Sequence, residues 1–205
     1  MIDAKILPLQ RAVLQPVAEY VARCGLKADQ ISLSGFLAGL GAFIALCFGN
    51  WLLALALILV NRVLDGLDGA VARIQGPTDR GAYLDIALDM VFYALIPLGF
   101  AVQAPEIHAL PAAVLIVSFV GTGSSFLAFS AVAAKLGSKA PEFPTKGIYY
   151  AGGLAEGFET IAVFIAMCLL PGSFAIIAYG FAALCALTTL IRWRQGWVAF
   201  SGDGR

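Results

Sequence analysis

Charged side chains are scarce in this sequence. Lys, Arg, Asp and Glu make up 13% of the 205 residues, against 60% hydrophobic ones. A soluble domain carries roughly twice that charged fraction. With a mean hydropathy of +0.89, the shortage excludes an ordinary water-soluble globule, because so much apolar surface needs a non-aqueous solvent. Excess charge of either sign is also missing. Formal net charge is +0, which argues against a nucleic-acid partner. Histidine occurs once, as His108, and the four cysteines (Cys24, Cys47, Cys168 and Cys185) form no CxxC and no Cys/His cluster. A zinc site is thereby excluded. The cysteines read as small buried hydrophobes and His108 as a loop residue. The first 23 residues lack the continuous apolar core and small-residue cleavage pattern of a signal peptide. Low-complexity runs, long linkers and a separate soluble domain are missing too, so residues 1–205 read as one membrane domain.

What the sequence does have is helical periodicity and long apolar runs. Ile6, Leu9, Val13, Val17 and Val21 recur at helical spacing, with Lys5, Arg11, Glu19 and Arg23 between them. Residues 1–27 therefore read as an amphipathic segment lying in a membrane interface, with Pro8 and Pro16 as points of bending. A bilayer span takes about 20 apolar residues. Six such stretches follow within residues 31–191: 31–49, 51–73, 80–103, 110–136, 147–170 and 173–191. Gly49-Asn50, Gly76-Pro77, Pro105, Pro141 with Pro144, and Pro171-Gly172 separate them. The fold expected is an all-α integral membrane protein of six transmembrane helices preceded by an N-terminal amphipathic interfacial helix.

Six spans put both termini on one side of the membrane. That side collects Lys5, Arg11, Arg23, Lys27, Arg73, Arg80, Lys135, Lys139, Lys146, Arg192, Arg194 and Arg205, and the opposite loops hold no Lys or Arg. The positive-inside rule then places the termini and the basic loops in the cytoplasm, in a bacterial or archaeal plasma membrane.

The second and third stretches break the apolar pattern with Arg62, Asp65, Asp68, Arg73, Asp79, Arg80, Asp85 and Asp89. One charge at the centre of a membrane helix costs roughly 2.5–3.5 kcal/mol, so Asp65, Asp68, Asp85 and Asp89 left unpaired would cost on the order of 10 kcal/mol. Asp65 and Asp68 are three apart and Asp85 and Asp89 four apart, so each pair shares a helix face. Counted inward from the turn between Arg73 and Arg80, Asp68 and Asp85 each lie five residues in, Asp65 eight and Asp89 nine. Antiparallel helices would set them in two facing layers. Four carboxylates match two divalent cations, and oxygen-only ligands favour Mg²⁺, Mn²⁺ or Ca²⁺. Gly66, Gly69, Ala70, Ala72, Gly81 and Ala82 around them serve either close helix packing or room for a pyrophosphate to reach the backbone.

The run Asp65-Gly66-Leu67-Asp68-Gly69-Ala70-Val71-Ala72-Arg73, followed by Gly81, Asp85 and Asp89, resembles the signature of the CDP-alcohol phosphotransferase family. Every fixed residue type of that signature is present, with seven residues between Arg73 and Gly81, one fewer than the commonest spacing. The six spans and the N-terminal helix fit the family too, so the resemblance covers most of the chain. It implies transfer of a phosphatidyl group from CDP-diacylglycerol to a small polar alcohol, with release of CMP. It also implies Asp65, Asp68, Asp85 and Asp89 as ligands of two Mg²⁺ or Mn²⁺ ions, and Asp89 as the general base. Asp65, Gly69, Ala72, Arg73 and Gly81 would line the CDP site, and the family implies a homodimer.

Other positions leave alternatives open. Arg62 reads as an ion-pair partner of an aspartate or as a contact to donor phosphate. Asp29 and Ser32 read as helix caps or nucleotide contacts. Arg80, Lys135, Lys139 and Lys146 are candidates for a phosphorylated acceptor, and Glu156 and Glu159 for an amine-bearing one. Gly121 and Ser125 mark a packing face, within the chain or between two copies. Two other readings of the acids compete: transfer of a different CDP-linked group, of the CDP-polyol type, and divalent-cation transport.

Overall fold

The computed structural model describes residues 2–136 and 153–201. Among these, all regular structure is helical: α1 (Ile2–Arg23), α2 (Ala28–Cys47), α3 (Trp51–Gln75), α4 (Asp79–Gln103), α5 (Pro105–Leu136), α6 (Gly157–Leu169) and α7 (Phe174–Phe200), with a 3-10 turn at Pro171–Ser173 before α7. By length and composition, four helices can cross a membrane: α2, α4, α5 and α7 with its leading turn. α3, at 25 residues, is as long as these but carries Arg62, Asp65, Asp68 and Arg73. Large apolar side chains such as Leu52, Val117, Ile176 and Leu190 are exposed along the helices. That surface is stable only against lipid, so the protein is an all-α integral membrane protein.

Local chemistry sets the helix ends. Gly49 has φ 70°, and the Asn50 side chain then caps α3 by accepting from the Leu53 N–H at 3.3 Å. Gly76, at φ 94°, ends α3, and the Thr78 hydroxyl starts α4 by accepting from the Gly81 N–H at 3.0 Å. The expected fifth stretch differs most. Its helical part among the described residues is the 13-residue α6, preceded by non-helical residues 153–156. α7 runs nine residues beyond Ile191, carrying Trp193 and Trp197 outward.

α2 organises the bundle. It packs along both α3 and α4, whereas α3 and α4 come close to each other hardly anywhere. Small residues permit the approach. A Cβ on Gly39 would stand 2.6 Å from the Phe92 ring of α4, and one on Gly99 would stand 2.6 Å from Leu46 Cβ of α2. The main core joins Leu46, Ile58, Phe92, Ile96, Phe164, Met167 and Phe181. Phe100 stacks on Trp51 at 5.1 Å and on Phe174 at 4.3 Å between ring centroids. His108 is a core residue rather than a loop one. It lies buried in the first turns of α5, its ring 4.8 Å from that of Phe174 and its Nδ1 3.3 Å from the Phe100 carbonyl. Of the cysteines, only Cys168 and Cys185 are buried, and Cys24 is exposed.

α1 is continuous through Pro8 and Pro16. Its apolar residues divide between two directions. Ala18, with Leu14, Val21 and Ala22, packs on Leu67, Ala70 and Val71 of α3, while Val13 and Val17 stay exposed. At the other side of the bundle, α5 and α7 are pinned by polar contacts. Arg192, counted above only as a loop cation, is buried and donates to the Thr122 carbonyl at 3.0 Å. Gly121 faces Thr189 so closely that a Cβ would come within 3.0 Å of its hydroxyl. The Gly121 and Ser125 face is therefore spent within the chain.

This packing separates two glycines of similar helical setting. Gly99→Ala is expected to destabilise the protein by about 1–3 kcal/mol, because Leu46 and the Phe43 carbonyl leave the methyl no room. Gly180→Ala, which meets nothing within 4 Å, should leave thermal unfolding in detergent unchanged or slightly raised. Equal unfolding temperatures for the two variants would refute the packing.

Candidate active site between α3 and α4

Because α2 holds α3 and α4 apart at the acid-bearing end, a cleft opens between them. Its larger part, about 710 Å³, is lined by Asp65, Gly66, Asp68, Gly69, Ala72 and Arg73 from α3. Arg80, Gly81, Ala82 and Asp85 from α4, and Asp29 and Ser32 from α2, complete the wall. The volume lies within the range of small-molecule sites. Deeper in, a cavity of about 20 Å³ is lined by all four aspartates, Asp65, Asp68, Asp85 and Asp89, with Ser32, Asn61 and Arg62. Room for one or two water-sized occupants is all it offers. Ser32, Asp65, Asp68 and Asp85 line both parts, so the acids form the floor of the cleft.

The glycines around the acids keep this space open. A Cβ on Gly69 would meet only the Arg73 guanidinium, at 3.5 Å, and one on Gly81 would stand 3.1 Å from the Thr78 hydroxyl and 3.4 Å from Asp29 Oδ1. Gly66, Gly69, Ala72, Gly81 and Ala82 thus border the cleft, and the helix-packing role falls to Ala70, which is 1% exposed against α1.

Each aspartate has its own surroundings. Asp68 accepts a 2.5 Å hydrogen bond from the Ser32 hydroxyl. Asp89 Oδ1 accepts from Arg62 Nη2 at 2.8 Å, and Asp65 Oδ2 lies 3.5 Å from Arg62 Nη1. Arg62 is fixed from behind as well. Its Nε donates to Asn61 Oδ1 at 2.7 Å, and its guanidinium lies 4.5 Å from the centre of the Phe92 ring. Asn61, only 4% exposed, passes the constraint on by donating from Nδ2 to the Gly35 carbonyl at 2.8 Å. Of the two alternatives for Arg62, the structure shows the ion pair. Among the described residues, no three acidic, histidine or cysteine side chains converge closely enough to enclose an ion in this arrangement. The donor chemistry still fits a hard divalent cation, since four carboxylates face one small cavity with no nitrogen or sulfur ligand.

The remaining candidates are dispersed. Asp29 and Ser32 cap nothing. The Lys27 N–H at the start of α2 is taken by Gln30 Oε1 at 2.9 Å, while Asp29 pairs with Arg80 at the cleft rim. Lys135 is exposed at the end of α5, and Lys139 and Lys146 lie outside the described residues. Glu156 and Glu159 sit at the start of α6 and line neither cavity. Glu156 Oε1 accepts from the Gly153 N–H at 3.1 Å, and Glu159 Oε2 accepts from the Glu156 N–H at 3.2 Å, so the two carboxylates close the helix start. Asn61 escaped the sequence reading altogether. The available signal was a lone amide in an apolar run, next to an arginine.

The sequence model of CDP-alcohol phosphatidyltransferases matches residues 26–191. The chain belongs to the CDP-alcohol phosphatidyltransferase family. Membership makes it a phosphotransferase enzyme. Inner membrane protein YnjF of Escherichia coli K12 is 46% identical over 198 residues, spanning 97% of this chain and 96% of its own. Archaetidylinositol phosphate synthase of Methanothermobacter thermautotrophicus is 37% identical over 93 residues, 45% of this chain and 46% of its own. In fold, the chain is similar to phosphatidylinositol phosphate synthase (PgsA1) of Mycobacterium tuberculosis. The crystal structure of that protein with CDP-DAG bound has TM-score 0.70 and 20% identity, over 95% of this chain and 98% of that one. Its structure in complex with manganese and citrate also has TM-score 0.70, with 21% identity over 94% and 92%.

Within this family member, Asn61 is expected to be structural. Asn61→Leu strips a partner from the Gly35 carbonyl and from a buried guanidinium, at a cost of about 1–3 kcal/mol. A clear fall in unfolding temperature checks this, and an unchanged temperature would contradict it.

Proposed function

We propose that this enzyme transfers a phosphatidyl group from CDP-diacylglycerol to a small polar alcohol and releases CMP. The observation that carries the reading is the cleft itself. Its floor is acidic, its walls are glycine and alanine, and Arg73 and Arg80 stand at its sides. The PgsA1 structure with CDP-DAG bound supports the choice of donor. Two divalent ions, Mg²⁺ or Mn²⁺, held by Asp65, Asp68, Asp85 and Asp89, would neutralise the pyrophosphate oxygens.

The chain's own residues do the rest. Gly66, Gly69 and Gly81 let the donor's phosphates approach the backbone, and Arg73 offers a planar set of donors to them. Asp89, which alone of the four lines only the inner cavity, takes the proton of the acceptor hydroxyl. As the alcohol oxygen bonds to the phosphorus that carries diacylglycerol, the bond from that phosphorus to the bridging oxygen breaks and CMP leaves. The acyl chains remain in lipid while the polar acceptor arrives from the cytoplasm.

In this reading α3 and α6 supply the other two of six spans. α1 lies in the cytoplasmic interface against α3, and both termini share that side. A homodimer would use a face other than Gly121 and Ser125. Inositol phosphate is the first acceptor to try, since the archaeal relative is named for an inositol phosphate product. Arg80 and the basic residues Lys135, Lys139 and Lys146 would suit a phosphorylated acceptor.

Purified protein in detergent, given CDP-diacylglycerol and Mn²⁺ or Mg²⁺, is expected to release CMP with one alcohol. The set to compare is inositol phosphate, glycerol 3-phosphate, inositol, serine and choline. Asp89→Asn should lower that rate by about 10²-fold or more. Failure of folded protein both to bind CDP-diacylglycerol and to release CMP would refute the phosphatidyl reading and favour another CDP-linked donor.

A further inference from the structure

Arg62 stands inside the acidic site as a permanent cation, and its mounting is more elaborate than charge balance needs. The side chain is 16% exposed and touches Asp89 at 2.8 Å and Asp65 at 3.5 Å. Its third nitrogen is held by Asn61 at 2.7 Å, the plane lies over Phe92, and Nη1 reaches the Tyr93 hydroxyl at 3.5 Å. Asn61 in turn is tied to the α2 backbone. The guanidinium is therefore aimed at one side of the acid cluster. The other side is prepared differently. Asp68 is held by Ser32, and the ion pairs of Arg62 go to Asp65 and Asp89 rather than to Asp85.

Charge makes this asymmetry consequential. Four carboxylates and one guanidinium leave a net three negative charges around the small cavity. One divalent ion at Asp68 and Asp85 keeps the site negative. A second, arriving while Arg62 still holds Asp89, would make it positive until the donor's pyrophosphate is bound.

We infer that Arg62 makes the two metal positions unequal, acting as a positioning residue that a second divalent ion must displace from Asp89. The first ion binds on the Asp68 and Asp85 side, where Ser32 has already fixed a ligand. The second binds on the Asp89 side and competes with the guanidinium. Donor phosphate, which brings negative charge, favours the second ion and gives the released guanidinium a new partner. This inference rests on the metal reading given above.

Calorimetric titration of Mn²⁺ into purified wild-type protein, Arg62→Met and Asp68→Asn tests it without any turnover. The wild type is expected to show one tight and one weak class of site. In Arg62→Met the weak class should tighten by about tenfold or more, while the tight class shifts by less than about threefold. Asp68→Asn should remove the tight class. Equal tightening of both classes in Arg62→Met would mean a diffuse charge effect and overturn the inference. So would no change in either class, and in both cases the loss on Asp68→Asn would leave the metal reading standing. A wild type that binds no Mn²⁺ overturns both. Should Arg62→Met fail to fold, Arg62→Lys keeps the charge but loses the planar fork. It is expected to tighten the weak class selectively by roughly threefold, and no selective change there overturns the inference.

Discussion

Everything in this structure follows from the expense of placing carboxylates in a medium that cannot solvate them. Four aspartates on two helices of an otherwise apolar bundle represent on the order of 10 kcal/mol if left alone. The protein offsets part of that with one buried arginine, a serine hydroxyl and an open cleft that admits water and ligands. The remainder falls to what binds there. On the proposed reading, cations and an anionic donor supply that remainder, held where phosphoryl chemistry needs them.

The bundle is built to keep that cleft open. Had α3 and α4 packed on each other as a simple antiparallel pair, the acids would have met face to face. Instead α2 runs against both, brought close to α3 by Gly35 and Gly41 and to α4 by Gly39 and by Gly99 of α4. Phe92 links packing to chemistry, since the same ring touches the Gly39 surface of α2 and underlies the Arg62 guanidinium. α1 buttresses the acid-bearing end of α3 from outside, through Ala18 and Ala70.

Much of this was legible in the sequence for a physical reason. Charges in apolar runs are costly enough to stand out, so Asp65, Asp68, Asp85 and Asp89 could be assigned to one site from spacing alone, and the structure lines one cavity with all four. Glycine, proline and asparagine punctuation placed most helix ends within a few residues. What stayed illegible depends on the lateral arrangement of helices. The pairing of Arg62 with Asp89 requires the register of α4 against α3, which α2 sets by packing along both. His108 reads as polar and terminal, yet Phe100 and Phe174 come from two other elements to bury it. Glu156 and Glu159 lie in an apolar stretch, but residues 153–156 leave the helix and turn them into caps.

The central claim is that the four aspartates gather divalent metal and the donor's pyrophosphate at the floor of one cleft. Anomalous scattering from manganese, in crystals grown with CDP-diacylglycerol, tests it most directly. The account predicts manganese peaks among Asp65, Asp68, Asp85 and Asp89, with the pyrophosphate lying along Gly69 and Arg73. Manganese bound elsewhere, or a donor seated away from this cleft, would contradict it.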